Sequence, residues 1–131
     1  MNQRGFATLE VILMVMVIGI LASIAVPRFT NITAKANTAK VQADLSTINT
    51  AIEIYYMEKG SYATSIDALV TAEYLQAKPK APSGSIYTPA EGATTATPQP
   101  ISATADYGLT TDYKQATFDG KEIDKFYVPK S

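Results

Sequence analysis

Gly5-Phe6-Ala7-Thr8-Leu9-Glu10-Val11-Ile12-Leu13-Met14-Val15-Met16-Val17-Ile18-Gly19-Ile20-Leu21-Ala22-Ser23-Ile24-Ala25-Val26-Pro27 is the stretch on which the reading of this 131-residue chain turns. From Val11 to Val26 the only polar side chain is Ser23, and none is charged. Phe6 to Val26 is 21 residues. As a helix rising ~1.5 Å per residue that is roughly 31 Å, close to the ~30 Å thickness of a hydrocarbon core. Glu10 is the misfit. A carboxylate in a spanning helix costs about 2.5–3.5 kcal/mol on insertion scales and needs a partner.

The short basic leader ending in Gly5, then Phe6, then Glu10 four residues later, and a hydrophobic helix with Pro27 past its end together form a recognisable pattern. It resembles the N-terminus of type IV pilins and pseudopilins. The resemblance is specific over about the first 28 residues; beyond them the chain is similar to the family only in layout. It implies that a prepilin peptidase cuts between Gly5 and Phe6 and methylates the Phe6 amine. Glu10 would then be the fifth residue of the mature chain and would set subunit register, and Gly19 and Pro27 would mark a helix kink. The order Ala7-Thr8-Leu9 departs from the commonest pattern, which has Thr directly after Phe and Leu-Ile before Glu, but keeps the spacing.

The physics of the motif runs parallel to the resemblance. Cleavage after Gly5 creates an α-amine on Phe6. Amine and carboxylate are both costly in an apolar medium, and each offsets the other if they meet. They could pair within one helix, four residues apart, or between the Glu10 of an incoming subunit and the Phe6 of a neighbour. The alternative is that Glu10 sits at the interface and snorkels towards water or Arg4.

Composition narrows the function classes. The net charge is −1, and loss of Arg4 with the leader makes it −1 − 1 = −2, so nothing favours broad nucleic-acid binding. The chain has no His and no Cys. Zinc held by His or Cys, a thiol nucleophile and a His-based triad are excluded. Met1 to Gly5 is too short and polar for an ordinary secretory signal, and Arg4 favours a cytoplasmic N-terminus.

Four regions follow: a leader (1–5), a transmembrane or filament-core helix (6–27), an amphipathic helical half (28–58), and a globular head (59–131) containing a loop (78–100) and a β-meander (103–128). In the amphipathic half Val41, Leu45, Ile48, Ile52 and Tyr55 step by four, three, four and three, one apolar stripe. Lys40, Asp44, Asn49, Glu53 and Lys59 are read as the opposite, solvated face. Thr and Asn residues between Thr30 and Thr50 weaken helix propensity, so packing must hold this half. From Phe6 to Glu58 the helix would be roughly 80 Å long, a length suited to a shared filament core. Gly19 is a soft point that permits close helix packing, partial unwinding, or both.

Lys59-Gly60 reads as a helix stop, and Ser65 as the N-cap of a short helix. Tyr62, Leu69, Tyr74 and Leu75 read as core plugs. Lys78 to Pro100 reads as an exposed loop, with Ser85 to Thr88 one possible strand; its Thr-rich part could instead set filament contacts or carry sugar. Three strands are expected at Asp106–Thr110, Tyr113–Phe118 and Lys121–Val128, the last two joined by the hairpin turn Asp119-Gly120. Phe118, Ile123, Phe126 and Val128 should face the helix. The expected fold is therefore α+β and pilin-like: a long N-terminal helix packed on a three- or four-stranded antiparallel sheet.

Asp106, Asp112, Asp119, Glu122 and Asp124 are the one acidic cluster. Major pseudopilins hold calcium in this region, but Lys114, Lys121 and Lys125 interleave here, which reads as a solvated mixed-charge surface. No catalytic, cofactor-binding or metal-ligating residue is assigned. Three functions remain: a type IV pilus subunit for adhesion, motility or DNA uptake, a pseudopilin of a secretion or competence system, and a membrane-anchored binding module. The resemblance implies as partners copies of the chain itself, the prepilin peptidase, and an assembly platform with its ATPase. It implies residence in the cytoplasmic membrane, then in an extracellular filament. DNA as a partner is left open.

Overall fold

The computed structural model describes residues 3–90 and 92–130, with side chains for all of these except 27–30. The chain divides into two compact units, Met1–Ile32 and Thr33–Ser131. Helix α1, Gln3–Lys59, contributes to both. Pro27, at which the sequence predicts a kink, is one of the residues whose side chains are not described, and Met1 and Asn2 of the expected leader lie outside the described residues.

In the first unit α1 carries its apolar side chains outward on all sides. Two of its hydroxyls turn inward onto the backbone: the Thr8 hydroxyl donates to the Arg4 carbonyl at 2.9 Å and the Ser23 hydroxyl to the Ile20 carbonyl at 2.7 Å. Both hydroxyls are thereby satisfied without water, as an apolar surrounding requires.

In the second unit the expected stripe is the core. Val41, Leu45, Ile48 and Ile52 are fully buried, Tyr55 packs beside them, and the stripe extends upward through Ala34 and Thr38. Each such aliphatic side chain contributes about 1.5–3 kcal/mol by leaving water. The helix stops where the sequence says it should. Gly60 adopts φ +72° and its N–H bonds to the Tyr56 carbonyl at 2.8 Å, closing the last turn with a left-handed residue. Helix α2, Ile66–Thr71, starts at Ser65, whose Oγ accepts the Ala68 N–H at 3.1 Å. Leu69 and Leu75 are buried, and Tyr62 and Tyr74 pack at the margin.

The β portion differs from expectation in three places. First, the expected loop 78–100 contains a hairpin: β1, Ser85–Pro89, pairs antiparallel with β2, Ala96–Pro100. The prolines are compatible with a strand because of register. Ile101 N–H donates to the Gly84 carbonyl at 2.8 Å beside the Ser85–Pro100 pair, so residues 97 and 99 face β1 while 96, 98 and 100 turn their backbone nitrogens outward. Proline is tolerated at outward-facing edge positions. Second, β3, Tyr107–Leu109, and β4, Ala116–Phe118, form a separate two-stranded sheet instead of joining the first. Strand β4 starts three residues later than expected, because Thr110–Gln115 closes into a loop with Tyr113 at φ +60°. Third, the expected strand Lys121–Val128 is reduced to a bridge at Lys121 and a 3-10 turn at Ile123–Lys125. Phe126 still enters the core, Ile123 packs at its edge, but Val128 is 37% exposed and leaves the inner face. The Asp119-Gly120 turn forms as expected, with φ of +50° and +74°. The class stands: a long helix packed on small antiparallel sheets, α+β and pilin-like.

Candidate assembly site

The first unit places Gly5, Phe6, Glu10 and Gly19 on one exposed helix. Phe6 is 59% exposed, and an 18-residue window of α1 has mean hydropathy 2.7 with none of it buried. Glu10, Leu13, Met14, Val17 and Ile18 share one flank, at spacings of three, one, three and one, and line a shallow groove. A Cβ built on Gly5 or Gly19 would meet nothing within 4 Å, so within one chain neither glycine is required by crowding. A surface of this kind is apolar, continuous and charged at a single point, which suits insertion in lipid or packing against other helices.

The second unit shows how the head is held on α1. The sequence placed Asp44 and Asn49 on the solvated face, and the structure corrects this. Asn49 Oδ1 accepts the Ala116 N–H at 2.6 Å, tying β4 to the helix. Asp44 accepts the Tyr107 hydroxyl at 2.5 Å and pairs with Lys40, whose ammonium also donates to the Lys80 carbonyl at 2.9 Å. Burial first, and then the Asp44 hydrogen bond, push the Tyr107 hydroxyl well above its ordinary pKa, so it stays a donor. Asn37 donates to the carbonyls of Ser83 and Ser85, each at 2.8 Å, and Gln42 donates to the Phe126 carbonyl. Thr38 joins them from within the stripe. Sequence reasoning counted the Thr and Asn residues as weak helix formers and Asn49 also as part of the solvated face. Their signal was position: uncharged polar groups flanking or interrupting the apolar stripe, where backbone groups of a packed sheet need partners.

The acidic residues disperse. Asp106 pairs with Lys78 at 2.6 Å, Asp124 with Lys125 at 2.9 Å, and Asp119 with Lys121 at 3.9 Å. Asp112 accepts the Thr110 hydroxyl at 2.6 Å. Among the described residues no three His, Cys, Asp or Glu side chains gather closely enough to hold a metal ion.

Comparison with known proteins gives the family. The chain is 34% identical over 98 residues to the type IV narrow pilus major component PilA5 of Thermus thermophilus, covering 72% of this chain and 78% of that one. The chain belongs to the type IV pilin and pseudopilin family. Other pilin relatives lie on the secretion side. Identity to the type II secretion system core protein G of Klebsiella michiganensis is 33% over 94 residues, 70% of this chain and 62% of that one. With the protein of the same name from Vibrio cholerae it is 32% over 101 residues, covering 66% and 69%. The chain thus spans about half to six-tenths of the first core protein G relatives, 62% and 53% of their lengths. No family model matches the chain, and no solved structure matches it. Pilins and pseudopilins are structural subunits and not enzymes.

Proposed function

We propose that this chain is a structural subunit of a type IV pilus, polymerising through its N-terminal helix after leader cleavage. The supporting observation is the helix itself: the apolar span from Phe6 to Val26 is exposed on every side in the single chain. Such a surface needs lipid before assembly and other helices after it. In this reading the prepilin peptidase cuts between Gly5 and Phe6 and methylates Phe6. Glu10 of an incoming subunit pairs with the Phe6 amine of a neighbour and sets the axial register. Gly19 and Pro27 give the helix its bend. The partners are copies of the chain, the peptidase, and an assembly platform with its ATPase. The precursor spans the cytoplasmic membrane once, and the product is a surface filament used for adhesion, motility or DNA uptake.

A second reading, a pseudopilin of a type II secretion or competence system, is supported by the relatives named core protein G. It shares the mechanism but not the long filament. The test is the intact mass of the protein in material sheared from cells. A chain lacking residues 1–5 and carrying one methyl, abundant in that fraction, supports the pilus. The same mass confined to membranes supports the pseudopilin. An uncut chain in membranes overturns both and leaves a membrane-anchored module.

A further inference from the structure

Helix α1 ends among tyrosines. Tyr56, in its last turn, stacks on Tyr62, with ring centroids 4.3 Å apart and planes 14° from parallel. That is closer than the roughly 4.5–7 Å usual for aromatic pairs. The left-handed Gly60 between them, at φ +72°, turns the chain so that the second ring comes back against the first. Tyr55 and Tyr74, beside them, meet edge to face at 5.3 Å instead.

Access and free hydroxyls set the stacked pair apart from the other tyrosines. Tyr56 is 44% exposed, while Tyr62 is half-buried and packs against the core. The hydroxyls of Tyr74, Tyr107 and Tyr127 are held by Glu58, Asp44 and the Thr94 carbonyl. Those of Tyr56 and Tyr62 have no hydrogen-bond partner among the described residues. Tyr113 is as exposed as Tyr56, but among the described residues no aromatic ring lies against it. Two phenols in ring contact, one of them open to solvent, are arranged for one-electron oxidation and coupling.

We propose that Tyr56 and Tyr62 are an oxidative modification site, joined as an intrachain dityrosine by hydrogen peroxide acting through a haem peroxidase. The peroxide takes one hydrogen atom from each phenol hydroxyl and is reduced to two molecules of water. The two phenoxyl radicals then couple through a carbon–carbon bond between ring positions ortho to the oxygens. Each joined carbon loses its hydrogen as a proton and each oxygen regains one, so the product is the starting chain less two hydrogens. The rings are already in contact, so coupling needs rotation of the side chains and no approach of the backbones. The bond closes a ring across Gly60 and ties the exposed end of α1 to a residue packed on the core. The site is independent of the pilus reading, because it lies wholly in the second unit and uses none of the residues assigned to assembly.

The test treats the full chain, in detergent micelles and dilute enough to be monomeric, with hydrogen peroxide and a haem peroxidase. The expected result is dityrosine fluorescence in the monomer band of a denaturing gel. Trypsin cuts after Lys59, between the two rings, so the flanking peptides should stay joined at their summed mass less two hydrogens. Oxygen added to Met57, which is 80% exposed, is counted separately. Tyr56→Phe and Tyr62→Phe keep a ring but not a phenol, and each should abolish the joined peptides. Tyr55→Phe, Tyr74→Phe and Tyr113→Phe should retain them. Absence of dityrosine in the parent chain overturns the proposal. So does dityrosine confined to a dimer band, and so do joined peptides that survive in Tyr56→Phe.

Discussion

The hydroxyl of Thr38 accepts the backbone N–H of Tyr87 at 2.9 Å and donates to the Ala34 carbonyl at 2.7 Å, while Thr38 itself is 1% exposed. One side chain thus joins helix α1 to strand β1 with both of its hydrogen-bonding capacities in use. Thr38→Val keeps the shape and strands the Tyr87 amide. The expected loss is about 1–3 kcal/mol of head stability, read as a lower urea midpoint for the detergent-solubilised chain. An unchanged midpoint would show that Tyr87 finds another acceptor.

Leu45 and Met57 sit on the same helix in opposite environments, fully buried and 80% exposed. Leu45→Ala should cost about 2–5 kcal/mol by emptying the centre of the core. Met57→Ala should change stability by no more than about 0.5 kcal/mol. Similar losses for the two would contradict the burial of the stripe. The paired measurement is the shift in thermal midpoint.

Glu10 is exposed on the single helix and makes no contribution to the core of the head. Glu10→Ala should therefore leave head stability unchanged and leader cleavage largely intact, while filament yield falls sharply. Immunoblots of cellular and sheared fractions read both quantities. Normal filament yield would sink the pairing of Glu10 with Phe6.

Acid should loosen the head through Asp106 and Asp112. The Lys78 hydrogen bond holds the Asp106 carboxyl below its ordinary value of 3.8, and the Thr110 hydroxyl does the same for Asp112. A carboxyl depressed in the folded state binds fewer protons there than in the unfolded chain. Its stabilisation is present above the unfolded value and is lost as pH falls through the folded one. Stability should thus decline below about pH 4. Both groups are solvent-exposed, so each contributes little. Asp106→Asn should flatten the decline, and a curve as steep as that of the parent would discount the Lys78 pair.

Much of this was legible in the sequence because it rests on local rules. The stripe through Val41, Leu45 and Ile48, the Gly60 stop, the Ser65 cap and the Asp119-Gly120 turn each follow from spacing or backbone preference within a few residues. What was missed depends on contacts distant in sequence. Asp44 and Asn49 face outward by helical periodicity alone, yet Tyr107 and the Ala116 amide reach them from 63 and 67 residues away. The β1–β2 hairpin was hidden by its prolines, whose meaning depends on which edge they occupy. The expected strand after Lys121 gave way to a 3-10 turn while the carbonyl of Phe126 found Gln42 on the helix. The roles of Gly5, Phe6, Glu10, Gly19 and Pro27 rest on motif and family, since a single chain offers them no partner chain.

The edges of the two small sheets carry a consequence of their own. Pro89, Pro98 and Pro100 have no N–H to offer at outward positions. The outward amides of Tyr87, Ala116, Phe118 and Tyr107 are already taken by Thr38, Asn49, Lys121 and Asp106. Bare strand edges template pairing between molecules, and the hazard grows with crowding. Proline and side-chain capping at these positions therefore blunt the edges of both small sheets against pairing with a second molecule.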